Sequence, residues 1–362
     1  MSLINRSKQV ILEHQHTSGA FVASPAFDHY RYSWLRDGTF IAYSLDCVGE
    51  TEAAERFFSW AAGTIEAHRH KASDIIERTR RGEEIPQHLL LHTRYTVDGQ
   101  EVQGEWGTYQ LDGYGTWLWG MSEHLKNSGN EDFARKVKPT LTLIAEYLLP
   151  LWRMPNFDCW EEYGDLVHPS TVAAIYGGLK SIRPWVDEPL RQSIESELSV
   201  IKHYLLSMGT QDGRFIKSIG SQDVDASLLW LHVPFSVVEG GHPVMVATVK
   251  EIEETLLHQN GVHRYAHDVY YGGGQWVFLS AWLGWHYAET GNLNRSVELL
   301  KWVEGQFNNE GHLPEQVHHH MLAPEHFSRW VEQWGAPACP LLWSHALHLI
   351  LASKVEFPQK KD

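Results

Sequence analysis

Apolar residues in this chain recur mainly at three- and four-residue spacing, and alternating strand-like runs are few. That periodicity predicts twelve helices, over residues 3–13, 37–48, 51–70, 111–127, 131–151, 168–182, 186–207, 224–232, 242–257, 275–290, 292–307 and 339–353. Several have clear punctuation. Asn130 precedes an acidic first turn at Glu131-Asp132, Asp187-Glu188 opens the next helix after Pro184, and Gly291-Asn292 separates two helices as an αα-turn would. Long polar segments at 71–110, 152–167, 208–223, 258–274 and 308–338 alternate with short turns. An array of αα-hairpins with long loops at one end and short turns at the other has this rhythm. No Pro/Gly/Ser-rich linker divides the chain, so residues 1–362 are expected to form one all-α domain.

Composition narrows the function. The net charge of −15 argues against nucleic acid and against an anionic membrane surface, both of which call for surplus Lys and Arg. It suits a protein acting on a neutral small molecule. Sixteen tryptophans are far more than usual. A helical core absorbs about half of them, but Trp34, Trp106, Trp160 and Trp276 sit in polar, Gly-rich contexts and are candidates for a cleft wall. The three cysteines, Cys47, Cys159 and Cys339, do not make a disulfide framework. With no apolar leader at the N-terminus and no membrane-length run, the expected location is cytoplasmic.

Five segments carry candidate chemistry. In Tyr30-Arg31-Tyr32-Ser33-Trp34-Leu35-Arg36-Asp37-Gly38, an Arg beside an Asp can bind adjacent sugar hydroxyls, although a capping Asp with a structural Arg explains the pair equally well. Glu105 to Gly115 holds Trp106-Gly107, a flap-like pair, and Asp112, which reads first as the N-cap of the next helix. Asp158 to Gly164 contains Trp160-Glu161-Glu162, where mutual repulsion is expected to keep one carboxyl protonated; a solvated acidic loop is the plainer alternative. Gly261 to Trp276 places Arg264 among aromatics, with Gly272-Gly273-Gly274 as a wide turn. His312-Leu313-Pro314-Glu315-Gln316 is followed by His318-His319-His320, read as a polar loop and not a metal site. Two carboxyls brought together from distant segments and flanked by aromatics are what cleavage of a glycosidic bond requires. No phosphate loop, serine-nucleophile elbow, zinc motif or calcium loop appears, and no cofactor or metal is expected.

Together these segments resemble the catalytic domain of glucoamylase-type enzymes, glycoside hydrolase family 15. Tyr-x-x-x-Trp-x-Arg-Asp stands as Tyr30, Trp34, Arg36 and Asp37. The Trp-Gly-x-x-Gln-x-Asp-Gly flap runs from Trp106 to Gly113, and Trp-Glu-Glu from Trp160 to Glu162. Arg264 to Trp276, Glu315-Gln316 and Pro340 to Ala346 complete the set in the family's order.

The resemblance implies an (α/α)6 barrel of six inner and six outer helices. It implies an inverting exo-α-glucosidase with Glu161 as general acid and Glu315 as general base. Arg36, Asp37, Glu162 and Arg264 would hold the terminal glucose, Tyr30 would sit near the developing positive charge, and Trp34, Trp106 and Trp160 would wall the pocket. The chain lacks the N-terminal β-sandwich of many bacterial and archaeal members and any starch-binding module. Its residues 163–169 also differ from the usual aromatic-Thr-Ser form. A short α-gluco-oligosaccharide, α-1,6 such as isomaltose or α-1,4, is therefore the expected substrate. An α,α-trehalase on the same scaffold and a sugar-binding domain without catalysis are the alternatives; both Glu161 and Glu315 are retained, which weighs against the second. The oligomeric state is not readable from the sequence.

Overall fold

The computed structural model describes residues 2–104 and 106–356, so Glu105 of the flap segment lies outside the described residues. The described α-helices are α1 (Leu3–Glu13), α2 (Leu35–Cys47), α3 (Thr51–Ala67), α4 (Arg69–Arg81), α5 (Asp112–Ser128), α6 (Glu131–Leu151) and α7 (Pro169–Ile182). They continue with α8 (Glu188–Ser207), α9 (Pro243–Thr255), α10 (Val277–Glu289), α11 (Leu293–Glu304), α12 (Phe327–Trp334) and α13 (Leu342–Glu356). A 3-10 segment, Ala226–Leu231, lies between α8 and α9.

Packing sorts these into two rings. α2, α5, α7, the 3-10 segment, α10 and α13 contact one another in sequence order, and α13 returns to α2 to close the inner ring. Around them lie α3, α6, α8, α9, α11 and α1, each against its inner partner. This is an (α/α)6 barrel. The inner helices are buried nearly all round, as at Asp112–Leu118 of α5 and Leu342–Ala352 of α13, because they face the barrel axis on one side and the outer ring on the other. The axis is filled with aromatic rings. Phe40 packs on Trp282 at 4.7 Å and on Trp343 at 5.8 Å, and Trp230 on Trp282 at 5.4 Å.

Connections differ at the two ends. Inner helices run into outer ones through short turns at 48–50, 129–130, 183–187 and 290–292, with Gly49, Gly129 and Gly291 in the left-handed conformation those turns need, while the longer stretch 232–242 links the 3-10 segment to α9. Outer helices return to inner ones through the long segments 14–34, 68–111, 152–168, 208–225, 256–276 and 305–341. All candidate site residues therefore gather over the N-terminal ends of the inner helices.

Two-residue strands brace those loops. β1 (Ser33–Trp34) pairs with β2 (Arg94–Tyr95), and β3 (Thr210–Gln211) with β4 (Arg214–Phe215). β5 (Leu257–His258), β6 (Gly261–Val262), β7 (Gln275–Trp276) and β8 (Gln316–Val317) form one antiparallel sheet in that order. Trp276 lies opposite Gln316, which fixes the register of the Glu315 loop against α10.

Four sequence expectations change. Residues 224–232 form six residues of 3-10 helix and no α-helix; Pro234, three residues beyond its end, offers no N–H to extend it. The predicted helix 51–70 breaks at His68, which leaves helical geometry. Two helices, α4, which begins at Arg69 and runs into segment 71–110, and α12, inside segment 308–338, stand where polar segments were read above. α4 buries only Ala72, Ile75 and Ile76, and α12 buries no residue fully, so neither has a long apolar stripe.

Candidate active site

A cavity of about 390 Å³ opens over the inner ring. Every site residue expected from the sequence lines it: Tyr30, Trp34, Arg36, Asp37, Trp106, Trp160, Glu161, Glu162, Arg264 and Glu315, together with Trp276. Below it lie Trp343 and the packed aromatic axis, so the cavity has a floor.

Arg36 and Asp37 occupy the first turn of α2. Arg36 Nη1 donates to Gln110 Oε1 at 2.8 Å and to Asp112 Oδ2 at 3.0 Å, and its Nε lies 3.2 Å from Asp37 Oδ2. Asp112 is thus not the N-cap expected for α5; Leu111 holds that position, and Asp112 is a fully buried counter-ion to Arg36. Burial pushes the Asp37 carboxyl up to about 6, against the pull of Arg36.

Glu161 lies in the loop before α7 and accepts hydrogen bonds from three side chains of two segments. Trp34 Nε1 donates to Oε1 at 2.5 Å, Gln110 Nε2 to Oε1 at 2.9 Å, and Trp106 Nε1 to Oε2. Burial raises its pKa above the usual carboxylate range, opposed by Arg36 and these donors. Glu162 turns the other way, accepting from Tyr265 Oη at 2.6 Å and from Arg264 Nη2 at 3.3 Å. Its pKa is also raised, with burial as the first cause. Repulsion between the adjacent glutamates is therefore not what lifts either carboxyl. Glu161 and Tyr163 both have positive φ, at +67° and +51°, a conformation costing about 1 kcal/mol or more for a side-chain-bearing residue.

Arg264 is held by Asp268 through Nε at 2.7 Å and Nη2 at 2.5 Å. Its guanidinium lies over Trp160, Tyr270 and Trp276 at 5.1–5.3 Å, which leaves the planar cation rigid and little room for water. Glu315 hangs between α10 and α13: its N–H donates to Ala338 O at 2.8 Å, and its carbonyl accepts from Val277 N at 3.1 Å. Burial pushes its carboxyl up to about 7, against the nearby Tyr30 hydroxyl and Arg264. Tyr30 Oη and Tyr270 Oη are 2.9 Å apart beside it.

Five buried polar atoms of lining residues make no hydrogen bond among the described residues: Arg36 Nε and Asp37 Oδ2, which face each other as an ion pair, and Glu315 Oε2, Trp276 Nε1 and Trp343 Nε1. Buried polar groups are otherwise almost always satisfied. Outside that pair, one acceptor and two donors around an aromatic-walled cavity suit a polyhydroxylated ligand, whose hydroxyls both give and take hydrogen bonds.

Sequence reasoning missed several participants. Trp330 and Trp334 of α12 wall the mouth, Trp334 packing on Trp106 at 5.6 Å and on His29 at 4.5 Å. Tyr270, Phe278 and Trp343 line the pocket too; the excess of tryptophan pointed to such walls without saying which residues make them. The histidine run packs structurally, His320 stacking on His258 at 3.8 Å and bonding His263 at 3.2 Å.

Known proteins resemble this chain in sequence and fold. The model of glycosyl hydrolases family 15 matches residues 2–308. The chain is 38% identical to an isomaltose glucohydrolase of Kribbella flavida, over 99% of this chain and 94% of that protein. It is 24% identical to trehalase 1 of Sulfolobus acidocaldarius, over 75% of this chain and 48% of that one. A glycosidase variant solved in complex with glucose superposes with a TM-score of 0.95 at 37% identity, covering 98% of this chain and 96% of that one. A bacterial glucoamylase solved with acarbose shares the fold, with a TM-score of 0.78 at 18% identity over 98% of this chain and 55% of that one.

Proposed function

The chain belongs to glycosyl hydrolase family 15, and on that premise we propose that it is an inverting, exo-acting α-glucosidase releasing β-D-glucose from short α-gluco-oligosaccharides, isomaltose foremost. The observation that carries this reading is the floored cavity with two carboxyls in its wall, Glu315 buried and Glu161 half-buried. A cavity closed below and walled by aromatics suits a chain end. A pair of carboxyls with one proton between them can protonate the leaving oxygen and activate water. The isomaltose preference is supported by the near full-length likeness to an isomaltose glucohydrolase, against a more distant, partial likeness to trehalases.

In this mechanism Arg36, Asp37, Glu162 and Arg264 hold the hydroxyls of the terminal glucose, and aromatic walls cover its faces. Glu161, protonated, gives its proton to the glycosidic oxygen. Glu315, ionised, takes a proton from water at Oε2 as the water attacks the anomeric carbon from the opposite face. Tyr30 lies beside Glu315, where its hydroxyl oxygen faces the positive charge developing on the ring. The chain is expected to work in the cytoplasm; no described helix is long and apolar enough to cross a membrane.

Proton NMR of fresh digests of isomaltose, maltose, trehalose and dextran tests the reading. Immediate β-glucose, fastest from isomaltose, is the expected result. Initial α-glucose from dextran, where every released glucose comes from the attacked end, would overturn the inverting assignment. Fastest release from trehalose would make the protein a trehalase, and glucose from none of the four would leave a binding domain or a substrate outside the α-glucosides.

A further inference from the structure

Lys217 lies outside the pocket, on the loop that follows β4, yet it is only 8% exposed. Its ammonium donates to Asp225 Oδ2 at 2.6 Å and to Asp158 Oδ2 at 3.2 Å, and sits 3.8 Å from the centre of the Tyr265 ring. Each neighbour leads to the site. Asp158 Oδ1 accepts from the backbone N–H of Trp160 at 2.9 Å and of Glu162 at 3.0 Å, clamping both sides of Glu161. Asp225 takes the Trp160 indole N–H at 3.0 Å. Tyr265 donates to Glu162. The Lys217 loop is also tied to the end of the acid loop, Ile219 N donating to Val167 O at 2.9 Å.

The Glu161 loop needs such a support. Its left-handed residues are a glutamate and a tyrosine, not glycines, so local preference favours a different backbone. Two buried aspartates without a cation would repel each other and draw in water or protons. Burial works against the charge on Lys217, but Asp225 and Asp158 outweigh it and hold the ammonium charged.

We propose that Lys217 is a positioning residue for the general acid: by joining Asp158 to Asp225 from behind the loop, it holds Glu161 in line with the leaving oxygen. This rests on the glucosidase reading above. Substrates whose leaving group needs no proton should then be spared when Lys217 is lost.

The test uses Lys217→Met in the full chain, which removes the charge and keeps the stem. Rates are read on isomaltose and on α-D-glucopyranosyl fluoride, whose fluoride departs without protonation. The expected kcat loss is about 100-fold on isomaltose and under about 10-fold on the fluoride, the gap reflecting lost acid assistance. Amide hydrogen exchange should quicken in residues 158–163 and stay unchanged across the inner helices. Equal losses on both substrates, or unchanged exchange in 158–163, would overturn the role. If Lys217→Met does not fold, Asp158→Asn keeps an oxygen for the two backbone amides and loses the ionic partner; the same split between substrates is expected. A wild-type protein inactive on both substrates would sink the glucosidase reading instead, and exchange alone would then decide the role of Lys217.

Discussion

Glu161 and Glu315 illustrate how one physical cause, removal from water, serves two opposite tasks. Both carboxyls are raised by burial, yet their surroundings differ: Glu161 is ringed by three N–H donors, while Glu315 keeps one oxygen unpartnered. Glu161→Gln keeps the side-chain volume but has no carboxyl proton to give. It should lower kcat on a disaccharide by about 100-fold or more, with glucose affinity by calorimetry nearly unchanged. Glu315 also links stability to pH. Its folded pKa, pushed up to about 7, exceeds the ordinary value of 4.5, so the folded state binds the extra proton between those limits. That contribution is full below about 4.5 and is lost as pH rises through about 7. Glu315→Gln should therefore melt about 1–3 °C above wild type at pH 8, with the difference fading toward pH 4.5 in scanning calorimetry. A difference that grows toward acid pH would mean that Glu315 is stabilised as the carboxylate. At this scale the sequence carried much of the site, since Arg36, Asp37, Glu161, Arg264 and Glu315 stand in motifs. It did not reveal Asp112 as a counter-ion, because the first turn of a helix is also where an uninvolved Asp is common.

Among the elements, α5 and α7 approach most closely. A Cβ on Gly178 would lie 2.3 Å from Gly115 O, and one on Gly115 would lie 2.5 Å from Ala174 C, so these glycines set the spacing of two inner helices that both carry site loops. Gly178→Ala should cost about 1–3 kcal/mol in urea unfolding, because backbone cannot step aside. Gly63→Ala in α3 meets nothing within 4 Å and should gain about 0.5–1 kcal/mol from helix propensity alone. If both changes destabilise alike, close approach is not what the inner-ring glycine provides. The element pattern also explains what was hidden. Inner helices such as α10 and α13 are apolar all round and stand out in the sequence. α12 is an eight-residue helix whose Trp330 and Trp334 face a cavity, so its apolar side reads as a few aromatics scattered in a polar stretch.

At the scale of the whole molecule, the closed inner ring and its packed axis turn a set of loops into a floored pocket. The net charge of −15 plays no part in drawing in a neutral sugar. Raising ionic strength from low to about 0.5 M should therefore change kcat/KM on isomaltose by less than about twofold, since steering requires a charged ligand. A steep salt dependence measured in stopped or continuous assays would point to a charged substrate.

The sequence by itself determined the helical period, the alternation of long and short connections and the residue types able to bind and cleave a glycosidic bond, because these are properties of neighbours along the chain. The tertiary structure alone decided which aromatics wall the pocket, that Glu161 and Glu162 face different partners, and that Lys217 stands behind the acid loop. Those depend on segments distant in sequence meeting at one end of the barrel: Lys217 and Asp158 gain their meaning only where burial makes an unpaired charge costly.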